Sequence, residues 1–193
     1  MELDSSRLRA FAALKYYDPA NVLRELRKLE NEPALRALPQ NVRQLRTHKY
    51  RRWREGRVGA LFAFGMGQCL LKTPVFIALA ENEDYDFVTR WQQGDQDCFC
   101  AVQEKELPPA HLNATVTLDA ILRRLANSRV RSDTAALVYL NREGLIDLSS
   151  VVVPRTLFAE LWFMGAMSPD QNKWYLFGNA LDCPGLFHFN YPT

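Results

Sequence analysis

The feature that most constrains this chain is a change of hydrophobic period at Thr73-Pro74. Before it, Val58, Phe62, Gly65 and Cys69, with Leu61 beside them, recur at i, i+4, i+7 and i+11, the stripe of a helix over residues 48–70. After it, 75–80 is a continuous apolar run, 85–91 is rich in aromatic and β-branched residues, and 98–105 alternates. The polar stretches 81–84 and 92–97 separate these runs as turns, so the spacing predicts a three-stranded meander that ends at Pro108-Pro109.

Further elements follow the same logic. Thr117 is the expected N-cap of a helix over 117–126, with Leu118, Ile121, Leu122 and Leu125 inward. Residues 135–140 read as a buried strand, 154–164 as a helix with Leu157, Leu161 and Met164 inward, and 173–177 as a last short strand. The tail 182–193 is aromatic without a clear period, and its aromatic residues are taken as core closure, with a homodimer patch as the alternative. Residues 5–48 read as two or three helices, the clearest carrying Val22, Leu23, Leu26 and Leu29. The expected fold class is α/β, a mixed sheet of about five strands flanked by helices, with an N-terminal helical extension. At 193 residues, one domain with such an appendage fits and two full domains do not.

Charge is distributed unevenly. The chain carries net +2, but residues 1–57 hold 14 Lys and Arg against 7 Asp and Glu, while the remainder is net negative. The boundaries expected are a basic helical extension over 1–47 and an α/β domain over 48–193. Lys49, Arg51, Arg52, Arg54 and Arg57 interleave with Tyr50 and Trp53, a composition suited to nucleic-acid backbones. Four scattered cysteines make no disulfide framework and indicate a reducing, cytoplasmic setting. No signal peptide is expected, and the apolar region 59–80 is broken by Gln68, Lys72 and Pro74, so no membrane span or membrane partner is expected. The histidines lack metal-ligand spacing, and Gly65-Met66-Gly67 lies inside an apolar helix.

The chemistry gathers in the meander. In 99–105, Phe99, Ala101, Gln103 and Lys105 share one face of a strand, and Cys100, Val102 and Glu104 the other. Asp86 opens the partner strand, so a hairpin brings Asp86, Gln103 and Lys105 to one end of the sheet, with Glu55 on the preceding helix within reach. A carboxylate on the edge of that helix's buried face needs a partner, either Arg51 or Arg52 one turn back or this cluster. Asp86, Gln103, the Glu104 main-chain carbonyl and Glu55 are hard oxygen ligands of the kind Mg²⁺ or Mn²⁺ takes. Lys105 would then assist the attacking water and stabilise charge on phosphorus.

Asp86 before an apolar pair, a hairpin, then an apolar run ending in Gln103-Glu104-Lys105 resembles the core motif of the PD-(D/E)XK nuclease superfamily, and the Gln variant is similar to Mrr-type restriction endonucleases. The helix bearing Glu55, the meander, helix 117–126 and strand 135–140 match that family's α-β-β-β-α-β order. The resemblance covers residues 48–140 and leaves 141–193 as a C-terminal elaboration. Tyr85 stands where the family has Pro, and Gln103 where it usually has an acid. It implies a restriction-endonuclease-like core and a Mg²⁺-dependent nuclease, DNA being favoured over RNA. The alternative is an inactive module of the same fold that holds nucleic acid or a protein partner. A second literal match, Pro169-Asp170 with Gln171-Asn172-Lys173, has no strand between its parts and cannot build such a site.

Overall fold

The computed structural model describes residues 5–37, 51–80, 85–128, 132–144, 146–147, 151–153 and 157–193. Three helices come first: α1 (Ser5–Ala12), α2 (Pro19–Asn31) and α3 (Pro33–Arg36). Helix α2 starts where Asp18 accepts the Asn21 N–H at 3.1 Å and Pro19 supplies a helix-ready φ; it buries Leu23 and Leu26. Helix α4 (Arg51–Met66) follows, extended by a π-helical turn, Gly67–Leu71, which Lys72 closes in the left-handed region at φ 54°. Thr73-Pro74 then forces the extended backbone from which β1 (Val75–Leu79) begins.

The meander is present, with a tighter turn than 92–97 suggested. Strands β2 (Phe87–Gln93) and β3 (Gln96–Leu107) are joined at Gly94-Asp95, Gly94 adopting φ 61°, a conformation that glycine enters without steric cost. Strand β1 pairs antiparallel with β2, and β2 with β3. After Pro108-Pro109 the chain crosses through α5 (Leu118–Ala126), capped by the Thr117 hydroxyl on the Ala120 N–H at 3.2 Å. It returns as β4 (Thr134–Leu140), parallel to β3 and buried at every residue.

Two elements differ from the sequence reading. Residues 160–166 form a strand, β5 (Glu160–Ala166), parallel to β4, where a helix over 154–164 was expected; residues 154–156 lie outside the described set. Leu161, Trp162, Phe163 and Met164 are all buried, because both faces of this central strand are covered, whereas Leu157, the first residue of the supposed helical stripe, is 60% exposed. A run buried on both faces has no two-residue alternation, which is why periodicity misassigned it. The tail also forms a strand. β6 (Lys173–Gly178) and β7 (Gly185–Asn190) continue the sheet antiparallel, so among the described residues it has seven strands in sequential order rather than about five.

Helices cover both faces of this mixed sheet. Val58, Leu61 and Phe62 of α4, with Leu23 of α2, pack on Val102, Leu137, Trp162 and Trp174. Ile121, Leu122 and Leu125 of α5 pack on Ala136, Val138, Leu161 and Phe163 on the opposite face. Phe11 of α1 joins Tyr85, Val88 and Ala101. The chain's N-terminal part is stitched to the sheet: Tyr17 exchanges backbone hydrogen bonds with Ile77 at 2.8 and 3.0 Å, and Arg7 pairs with Asp133 at 2.6 Å. No helix among the described residues is long and apolar enough to cross a membrane.

Candidate functional site

Register builds the site. Phe87 lies opposite Val102, so Asp86, one residue before the strand, falls opposite Gln103, and its N–H donates to the Val102 carbonyl at 2.9 Å. The Asp86 side chain closes the arrangement. Its Oδ2 accepts from Gln103 Nε2 and from the Glu104 N–H, the latter at 2.6 Å, while Gln103 Nε2 also approaches the Glu104 carbonyl at 3.5 Å. Partial burial pushes the Asp86 carboxyl above the usual carboxylate range. The Glu104 N–H, the Lys105 charge and the Gln103 amide oppose that push, and Glu55 reinforces it.

Strand alternation sends the motif's side chains to two faces. Gln103 and Lys105 pair in register with Ala136 and Val138, residues of the face that α5 covers. Glu104 pairs with Leu137 and Glu106 with Tyr139, on the face that α4 covers. There Glu104 meets a dense field. Burial first, then Asp86, Glu106 and Glu55, raise its pKa to about 8, and Arg54 opposes them. Its Oε2 has essentially no exposed surface and no hydrogen-bond partner. Arg54 also faces Glu106 at 3.9 Å, and Glu106 accepts from Asn141 Nδ2 at 2.7 Å.

Of the expected residues, the structure therefore gathers Asp86, Gln103, the Glu104 backbone and Lys105 at one end of β2 and β3, with Glu55 of α4 close enough to act on both Asp86 and Glu104. Sequence reasoning used only the main chain of Glu104 and missed its side chain, together with Arg54 and Glu106 as its neighbours. Alternation puts Glu104 on the face of Val102, a core residue, but the helix that roofs that face is set by the fold.

The basic residues have separate fates. Lys49 and the side chain of Arg51 lie outside the described residues. Arg52 is exposed, and Arg54 is turned toward the acidic cluster. Arg57 is committed inward, with Glu30 at 2.8 Å and Gln171 Oε1 at 2.6 Å. The second motif match is a turn, as its sequence required: Asp170 accepts from Ser168 and from Asn172, and Gln171 sits at φ 54°.

Among the described residues no group of three or more His, Cys, Asp or Glu side chains is placed to hold a metal ion. The oxygens that approach one another are the Asp86 carboxylate and the Glu104 carbonyl, both facing Gln103 Nε2; Gln103 would add its amide oxygen to a set of the kind Mg²⁺ binds only with the amide turned over. The orphaned Glu104 Oε2 belongs to the opposite face of β3, where the Asp86 charge still acts on it. No family model, curated protein or solved structure matches this chain.

Proposed function

We propose that this chain is a metal-dependent nuclease with a restriction-endonuclease-like core. The observation that carries the reading is the β2–β3 register, which sets Asp86 opposite Gln103 and ties both to the Glu104 main chain, within an element order of helix, three-stranded meander, helix and parallel strand.

Asp86, Gln103 and the Glu104 carbonyl would hold one Mg²⁺ or Mn²⁺, with Glu55 contributing its charge from α4. Such an ion, when bound, supplies Lewis-acid activation of a phosphodiester and of the attacking water. The protein's own groups do the rest. Lys105, whose positive charge favours the ionised form of Asp86, would orient the water and offset charge developing on phosphorus. Gln103, by donating to Asp86, fixes the carboxylate's orientation.

The test is incubation of the protein with supercoiled plasmid, linear duplex, single-stranded DNA and RNA in Mg²⁺ or Mn²⁺. Cleavage is expected, reduced at least about 100-fold in Asp86→Ala and in Lys105→Ala, on the scale of losing an electrostatic catalytic group. Absence of cleavage, or equal cleavage by the variants, would overturn the reading.

One observation favours a second reading, a module of this fold that binds without hydrolysis. Gln103 is neutral, and with a pKa near 8 Glu104 keeps its proton at neutral pH, so little negative charge faces a cation. That reading expects salt-dependent DNA affinity in the absence of any hydrolysis.

A further inference from the structure

On the outer side of α4, one turn from Glu55, lies a groove of about 580 Å³ between α2, the start of α4 and the edge strand β1. Its floor includes Ile77 and Leu79, and its rim carries Lys15, Tyr17, Arg52 and Trp53. The volume falls in the range of roughly 300–1,000 Å³ common for ligand pockets. The two rim aromatics are unusually open, Trp53 at 53% and Tyr17 at 48% exposure. Among the described residues lining the groove none is acidic, while Lys15 and Arg52 are basic. Position is fixed as well as composition. The Tyr17 backbone is hydrogen-bonded to the edge of β1, and the Lys15 ammonium rests 5.2 Å from the Tyr17 ring centroid, which holds the cation at the rim. The strand that floors the groove is tied to the site by its backbone: Leu79 precedes Ala80, whose N–H donates to the Asp86 carbonyl at 3.3 Å.

We propose that this groove takes unpaired nucleotides of a single-stranded nucleic acid, a base lying against Trp53 with phosphates facing Lys15 and Arg52, and so delivers single strands to the Asp86 site. The proposal rests on the nuclease reading for its purpose but not for its chemistry. Aromatic faces flanked by cations are the general means of holding single strands, because every base offers a π-face and only an unstacked base can reach one. A duplex keeps its bases stacked and offers this groove phosphates alone. An acidic peptide would use the cations and leave Trp53 idle.

Binding measured in EDTA separates the groove from the catalytic question. A fluorescein-labelled 15-mer oligo(dT) is titrated by anisotropy, with a blunt 15-base-pair duplex and polyglutamate as competitors. Oligo(dT) is expected to bind more tightly than either. Trp53→Ala is expected to weaken it about tenfold, in line with the loss of one stacked base. Trp53→Phe should keep most of the affinity, and Lys15→Ala should flatten the dependence on salt. Trp53 is exposed, so its variants are expected to melt with the parent protein, and matching melting curves check that. Equal competition by duplex or by polyglutamate, or unchanged affinity in Trp53→Ala, overturns the proposal. If oligo(dT) binds as expected while no nucleic acid is cleaved in Mg²⁺, the groove stands and the nuclease reading falls; cleavage with Trp53→Ala indifferent to oligo(dT) does the reverse.

Discussion

Glu104 sits where its ionised form is the less favourable one, enclosed, beside three other carboxylates, with Arg54 as the cation in reach. Its folded pKa of about 8 stands above the ordinary value of 4.5, so the folded state holds this proton more tightly than the unfolded chain. The sign follows by linkage. The stability is whole below about pH 4.5, falls as the unfolded chain ionises first, and is lost as pH rises through about 8. Asp86, also shifted upward, acts in the same direction. Glu104→Gln keeps the shape and removes the ionisation, so urea midpoints in EDTA are expected to fall less between pH 5 and pH 9 than in the parent chain. Parallel profiles would show that the acid is not confined as described. The Asp86–Gln103 pairing was legible from the sequence, since parity and a hairpin suffice to bring them together. The side chain of Glu104 was not, because alternation divides a strand into two faces but cannot say which of them a helix will roof.

The element that roofs it is α4, and its approach is set by Gly59. A Cβ at this position would run into Ile77 and come within 3.1 Å of the Phe87 ring, so the helix lies against β1 and β2 with no room for a side chain. That close seat is what brings Arg54 and Glu55, on the preceding turn, over the ends of β2 and β3. Gly59→Val is therefore expected to lose about 1–3 kcal/mol, the usual cost of overpacking a filled core, read as a lower urea midpoint with an unchanged slope. An unchanged midpoint would mean that α4 can ride higher at no cost. Helix α4, the meander and α5 were legible because each has an amphipathic period or an unmistakable breaker, and β4 as a short apolar run between polar stretches. Strand β5 was not, since burial on both faces erases its period. Strand β7 hid its alternation in short range: Leu186 and His188 face out while Phe187 and Phe189 turn in.

For the whole molecule, the positive charge of the first 57 residues has a more divided use than its sum suggests. Arg7, Arg24, Arg27 and Arg57 bind the helical N-terminal part to the body: Arg7 to Asp133, Arg24 to the Thr193 carbonyl at 2.6 Å, Arg27 to the turn at 170–172, and Arg57 to Gln171 while also pairing with Glu30. Charge counting cannot separate such cross-links from a surface open to a polyanion, because the acceptors come from residues more than a hundred positions away. The two ends of the chain meet at Tyr191, whose hydroxyl donates to the Leu23 carbonyl at 2.7 Å and whose ring lies 4.2 Å from the Arg27 guanidinium carbon. Tyr191→Phe deletes the buried hydrogen bond and keeps the stacking, so a loss of about 1 kcal/mol is expected. Leu23 and Tyr191 belong to the same buried cluster as Val58, Leu137 and Trp174, so helices and sheet share one core. Helix content by far-ultraviolet dichroism and tryptophan fluorescence should therefore fall together in urea, in the parent chain and in Tyr191→Phe alike. A separate, earlier loss of the helical signal would show that the N-terminal helices are docked on the sheet rather than folded with it, and the groove at Trp53, which needs Tyr17 held against β1, would then open before the Asp86 site does.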